Sequence, residues 1–226
     1  MQRENIKILV VDDHEMLLKG IVDSLKRAGY ENVQSFLNCD LAYEAVLDAN
    51  QKMDPFDVVF TDLSFENNSK AQFKQGEDLI NQLKKISKAT KVAVLSGHSE
   101  TNRVINVIGN QDPDAYILKH ECTPEEFDGA ISKMLRDQKY YSQTVHQKIM
   151  NRRIIDIQTD ETALEILRQL SKQYKIANMV GLIFNKKGKE LSLRSIDNRL
   201  AELRESFNAV NNIDLVMKAK ELGVID

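Results

Sequence analysis

The chain has 226 residues, 42% hydrophobic and 29% charged, with a formal net charge of −3. That suits one large or two ordinary domains with a packed core, and it excludes a wholly basic nucleic-acid binder, though not a basic patch on one domain. Two cysteines without CxxC spacing, Cys39 and Cys122, fit a reduced cytosolic protein. Four scattered histidines give no zinc-type cluster. No apolar run approaches ~20 residues and no signal-type segment opens the chain, so neither membrane nor export is expected and the location reads as cytoplasmic.

Ile6–Val11 is an apolar, β-branched run and predicts the first strand, ending on Asp12 and Asp13, either of which could cap the helix that follows. Met16, Leu17, Ile21, Leu25 and Ala28 mark the buried face of that helix. Asn32–Phe36 predicts a second strand, and Leu41 to Ala49 a second helix. After Pro55 the run DVVFTDL reads as a strand buried on both faces, and it ends on Asp62. The polar stretch Ser64–Lys74 predicts a surface loop closed by Gly76, and a helix follows on Leu79, Ile80, Leu83 and Ile86. KVAVL predicts the fourth strand, before Ser96 and Gly97, and Val104, Ile105 and Ile108 the next helix. Ala115–Leu118 predicts the fifth strand, followed by Lys119, and Thr123 caps a helix that starts on Pro124.

This alternation predicts an α/β domain over residues 1–137 with a doubly wound, five-stranded parallel sheet. Residues 138–160 read as a linker, with a short helix at Tyr140–Met150 and irregular chain at Asn151–Asp160. Residues 161–226 show no strand pattern. Ala163–Leu170, Asn178–Phe184, Arg194–Phe207 and Leu215–Leu222 have helical spacing, which predicts a separate all-α domain.

The strand ends carry the chemistry. Asp12, Asp13, Asp62 and Lys119 all follow short apolar runs, at the sheet edge where open α/β folds build their sites. Three clustered carboxylates need a compensating cation, and an oxygen-only set suits Mg²⁺. Lys119 adds a second positive charge and Ser96 a hydroxyl. Such a set can stabilise a phosphoryl group in transfer, with Asp62 as the nucleophile that forms an acyl phosphate.

VVDDHEMLLKGI, DVVFTDL, VAVLSGHS and DAYILK resemble the receiver domain of two-component response regulators, a flavodoxin-like fold, over about residues 5–137. The resemblance implies Asp62 as phosphoacceptor from a sensor histidine kinase, and Asp12 and Asp13 as the acidic pair that holds Mg²⁺, Asp13 more directly. It implies the backbone carbonyl of Ser64 as a further ligand, Ser96 and Lys119 as phosphate holders, and Tyr116 as the aromatic that turns inward when Ser96 is drawn to the phosphoryl group. Two positions depart from the family pattern. Ser64–Phe65 replaces a common Met-Pro pair in a longer loop, and His120 replaces a proline after the lysine, so a different turn is expected there. His14 reads as a helix-start residue.

The helical half resembles the NarL/LuxR-type helix-turn-helix domain. KIANMVGLIF would be its scaffold helix and LSLRSIDNRLAELRESF its recognition helix, N-capped by Ser192. Thirteen Lys and Arg against eleven Asp and Glu from Arg152 onward give about +2, which leaves about −5 for residues 1–151 out of the total −3. Lys186, Lys187 and Lys189 crowd the turn before the recognition helix, while Arg194, Asn198 and Arg199 lie on its exposed face, placed to meet double-stranded DNA. Asp197 and Ala201 stand where lysine is common. The expected function is a transcription factor, rather than an enzyme, whose phosphorylation frees or dimerises the DNA-binding domain. The alternatives are a regulator whose helical domain binds protein and, further off, an aspartyl-phosphate phosphohydrolase, which would want a second Asp where Ser64 stands.

Overall fold

A computed structural model describes residues 2–65, 71–172, 175–185 and 188–225, apart from the side chains of 153–158. The chain divides into two compact units, Met1–Ser99 with Arg103–His146 and Glu100–Asn102 with Gln147–Asp226.

The first unit is an α/β sandwich. Its strands are β1 (Ile8–Val11), β2 (Val33–Phe36), β3 (Val58–Asp62), β4 (Lys91–Ser96), β5 (Ala115–Leu118) and β6 (Tyr140–Tyr141). They form one parallel sheet in the order β2-β1-β3-β4-β5-β6. Helices α1 (Glu15–Arg27), α2 (Cys39–Gln51), α3 (Gly76–Ile86), α4 (Thr101–Gln111) and α5 (Pro124–Met134) make the crossovers. Strand residues alternate between two buried faces. Ile8, Val10, Val58, Phe60, Leu95 and Ile117 pack with Ile21 and Leu25 of α1 and Phe127 and Ile131 of α5. Leu9, Val11, Val59 and Val94, one step out of phase, are equally buried. Coverage of both faces explains why these strands read as unbroken apolar runs.

Two details of α1 differ from the sequence reading. Its N-cap is His14, not an aspartate. Met16 is 86% exposed, and Leu18 takes the core position instead. Counting the apolar stripe from Leu18, Ile21 and Leu25 gives the observed face.

The sheet has six strands rather than five. Tyr140 and Tyr141 pair with Ala115 and Tyr116 on the far edge. The segment after them is also not a short helix plus linker, because Gln143–Gln158 is one helix, α6. Nothing between Met150 and Gln158 breaks a helix: there is no Gly or Pro.

The loop after β3 is tied at its base. Ser64 bridges Gln75 in antiparallel fashion, and the Gly76 N–H donates to Leu63 O at 2.9 Å. A Cβ on Gly76 would lie 1.9 Å from Asp62 O, so only glycine fits. The Asp40 carboxylate accepts from the Gln72 and Phe73 N–H groups at 2.9 and 3.0 Å, and the Phe73 ring meets Tyr43 edge-on at 5.0 Å.

The second unit is helical: the remainder of α6, then α7 (Glu161–Ser171), α8 (Leu193–Ser206) and α9 (Asn212–Glu221). Ile166, Leu167, Ile196, Leu200, Leu203 and Leu215 form its core with Met179 and Ile183. Asp160, Ser192 and Asn211 cap α7, α8 and α9, each accepting an N–H three residues on.

The expected scaffold helix over 178–184 is absent. Ile176–Met179 is a 3₁₀ turn, Val180 is extended, Gly181 has φ +86°, and Phe184 bridges Glu190 in antiparallel fashion. The apolar spacing of Met179 and Ile183 mimics a helix. The β-branched Val180 and Ile183 around a left-handed glycine favour extended chain instead. Among the described residues no helix is long and apolar enough to cross a membrane.

Candidate functional site

Parallel register brings the strand ends into one row. Val11 pairs with Thr61, Asp62 with Leu95, and Ser96 with Leu118. Asp12, Asp62, Ser96 and Lys119 therefore leave the sheet side by side at its C-terminal edge. Asp12, Asp62 and Ser96 are buried.

Lys119 knits the row together. Its Nζ donates to Asp62 Oδ2 at 2.9 Å and lies 2.6 Å from Asp12 Oδ2. Burial alone would lower the Lys119 pKa, but hydrogen bonds and charge from Asp12 and Asp62 outweigh it and raise the value. The other oxygen of Asp62 accepts the Leu63 N–H at 2.7 Å, and that of Asp12 accepts the His14 N–H at 3.0 Å. Both buried carboxylates are thus held in fixed orientations.

One ligand atom each from Asp12, Asp13, His14 and Asp62 lie within 4.8 Å of one another. His14 adds what the sequence reading set aside: its Nδ1 is 2.8 Å from Asp13 Oδ1 and 3.3 Å from Asp12 Oδ1. The adjacency of His14 to two aspartates was the available signal. Ser64 lies at the rim, with its hydroxyl 3.2 Å from His98 Nε2. Ser96 Oγ accepts the His98 N–H at 3.0 Å, which leaves its own proton free to donate. Tyr116 is fully buried, and among the described residues its hydroxyl makes no well-aligned hydrogen bond, the Ser96 hydroxyl being the group that bears on it. Burial pushes its pKa up to about 12, against a smaller lowering by the Ser96 hydroxyl.

The chain departs from the proline pattern after the lysine without a cis bond. No cis peptide occurs among the described residues, and Lys119–Glu121 forms a 3₁₀ turn.

The receiver-domain family of response regulators matches residues 8–132. The chain belongs to that family. A relative of this response regulator, the response regulator protein VraR of Staphylococcus saprophyticus, is 28% identical over 176 residues, 75% of this chain and 77% of its own. The Salmonella typhimurium RcsB response regulator superposes with a TM-score of 0.60 at 20% identity, over 96% of this chain and 98% of its own. A structure of the two-component response regulator RcsB in complex with DNA gives 0.55 at 20% identity, over the same 96% and 98%. At that identity the structural likeness establishes a shared fold.

In the helical half of this response regulator the expected DNA-facing residues separate. Lys186 and Lys187 lie outside the described residues. Lys189 is exposed, with its N–H on Asn185 Oδ1 at 3.0 Å, and Arg194 and Asn198 are exposed on α8. Arg199 is not free. Its guanidinium meets Asp160 Oδ1 at 3.1 Å and Glu202 Oε2 at 2.6 Å, so it fastens α8 to the N-terminus of α7. Asp197, Glu202 and Glu205 share the exposed surface of α8.

Proposed function

We propose that Asp62 accepts a phosphoryl group from a phosphohistidine of a sensor kinase, and that this controls binding of the helical unit to double-stranded DNA. The observation that carries the reading is Lys119 bridging Asp12 and Asp62, at 2.6 and 2.9 Å, on a buried sheet edge. The Asp62 carboxylate oxygen attacks phosphorus, a P–O bond forms, the P–N bond breaks, and the kinase imidazole leaves with the electron pair. The product is an acyl phosphate. Lys119 and the Ser96 hydroxyl then hold phosphoryl oxygens.

The donor set also fits a hard divalent cation. Three carboxylates face one ammonium, an excess of negative charge within a few ångströms. Asp12, Asp13, Asp62 and the Ser64 carbonyl would hold Mg²⁺, which neutralises charge on the transferring phosphoryl group when bound. Tyr116, already buried beside Ser96, is the residue whose position would report the state of the site. On this reading residues 1–137 are the receiver, 138–160 the connection and 161–226 the output domain. The chain works in the cytoplasm, and phosphorylation pairs two copies so that two α8 helices meet paired half-sites.

Support for DNA as the partner comes from the RcsB–DNA complex among the structural neighbours and from the exposed Arg194 and Asn198 on a Ser192-capped helix. A protein-binding output domain is favoured by two other observations: the replaced scaffold helix, and the exposed Val210 just before α9 with Ile213 and Met217 exposed on it.

The test is intact-mass measurement and DNA capture after treatment with acetyl phosphate and Mg²⁺, for wild type and Asp62→Asn. One added phosphoryl group and tighter, salt-sensitive DNA binding in wild type alone is the expected outcome. Phosphorylation elsewhere, or equal DNA binding by the variant, rejects the reading. Phosphorylation without DNA binding at low salt selects the protein partner.

A further inference from the structure

The 3₁₀ turn that begins at Lys119 ends at Glu121, and Glu121 does not face solvent freely. Its Oε1 accepts from the Thr144 N–H at 3.1 Å and from the Thr144 hydroxyl at 2.6 Å. Its Oε2 accepts from the Ser142 hydroxyl. Ser142 is fully buried, donates its own N–H to Tyr116 O at 3.0 Å, and takes the Leu118 N–H on its Oγ at 3.3 Å. One carboxylate thus joins the turn carrying Lys119 to the segment from β6 into the first turn of α6, and the same segment grips the backbone of Tyr116 and Leu118. All these groups belong to the first compact unit.

The chemistry of the clamp is specific. Thr144 is the second residue of α6, where amide N–H groups lack partners within the helix, so Glu121 acts as a cap delivered from another segment. A carboxylate there also meets the positive end of the helix dipole. Burial would raise the Glu121 pKa, but the Ser142 and Thr144 hydrogen bonds outweigh it and lower the value, so the anion is the bound form.

We propose that Glu121 is a positioning residue that couples Lys119, and through it the occupancy of the Asp62 pocket, to the first turn of α6. The inference rests on the reading of Asp62 as phosphoacceptor. With Asp62 unmodified, Lys119 is drawn to two carboxylates at once. A phosphoryl group on Asp62 offers the ammonium new oxygens beyond the carboxylate, and the lysine advances to meet them. Only one residue separates Lys119 from Glu121, so the short turn transmits that advance. The Glu121 carboxylate withdraws from Thr144, and the start of α6 loosens. Linkage makes the effect reciprocal: a broken clamp favours the phosphorylated geometry by the same factor that phosphorylation loosens the clamp.

The test uses the full chain with beryllofluoride and Mg²⁺ as a phosphoryl mimic. Hydrogen exchange is followed in the peptide over 142–148, and bound fluoride by its fluorine resonance. In wild type the mimic speeds exchange at the start of α6 by about tenfold, within the usual range of coupling between sites. Glu121→Ala exchanges fast with or without the mimic and binds it tighter by a similar factor. Thr144→Val, which keeps the volume but removes one donor to Oε1, shows part of both effects, and the double variant goes no further than Glu121→Ala. Glu121→Gln retains acceptor oxygen and recovers part of the response. Bound mimic with unchanged exchange in wild type, or a full response in Glu121→Ala and Thr144→Val, overturns the coupling alone. Failure of wild type to bind the mimic overturns the Asp62 reading and the coupling with it.

Discussion

The α/β unit and the helical unit place their charges in opposite ways. In the first, Asp12, Asp62 and Lys119 are drawn in at a sheet edge, and the ammonium bridges the two carboxylates. In the second, Arg194, Asp197, Asn198 and Glu205 stand in water on one helix, and the half-buried Arg199 ends on Asp160 and Glu202. Buried groups of fixed geometry suit a reaction at one atom. An exposed mixture suits a surface whose affinity is set by salt and by which charges are released. The difference teaches that the residues to alter for switching and those to alter for output obey different energetics.

The largest effect is expected where the first arrangement is broken. Lys119→Ala leaves buried carboxylates without their cation and destabilises the first unit by about 4 kcal/mol in metal-free buffer. Added Mg²⁺ restores more stability to this variant than to wild type, as read by thermal unfolding with and without chelator. Equal Mg²⁺ shifts in both proteins would show that the ammonium and a divalent cation do not share the carboxylates. A second contrast uses one substitution in both units. Gly76→Ala forces a Cβ against the Asp62 carbonyl and costs about 3 kcal/mol. Gly188→Ala meets nothing within 4 Å and costs only the left-handed backbone term, about 1 kcal/mol, since its φ is +73°. Denaturant melts of the two variants would measure the gap. The smallest effect sharpens the second unit. Asp160→Ala loses the α7 cap and about 1 kcal/mol. Asp160→Asn keeps a capping oxygen, sheds the charge that holds Arg199, and so raises DNA affinity and steepens its salt dependence, measured by filter binding over a salt series.

The legible parts of the sequence share a cause. A strand buried on both faces must be apolar throughout, so the first charged residue after it marks the sheet edge; Asp12, Asp62 and Lys119 were found that way. The helix caps Thr123, Ser192 and Asn211 follow equally local rules, although only the first two were read. What stayed hidden depends on partners distant in sequence. Tyr140–Tyr141 becomes a strand only because β5 offers an open edge. The spacing of Met179 and Ile183 fits a helix and a folded-back extended segment alike, and the tertiary core chose the latter. Arg199 looked like a free cation because Asp160, its partner, lies on another helix start. Glu121 drew no reading from the sequence, because nothing local announces Ser142 and Thr144.

The stapled base of the loop after β3 carries a wider consequence. With Ser64 bridged to Gln75 and Gly76 wedged against the Asp62 carbonyl, both ends of the loop are fastened at the end of β3. Because both ends are pinned, a change in the length of that excursion adds only a slowly growing closure entropy, and the backbone of Asp62 keeps its place whatever the length.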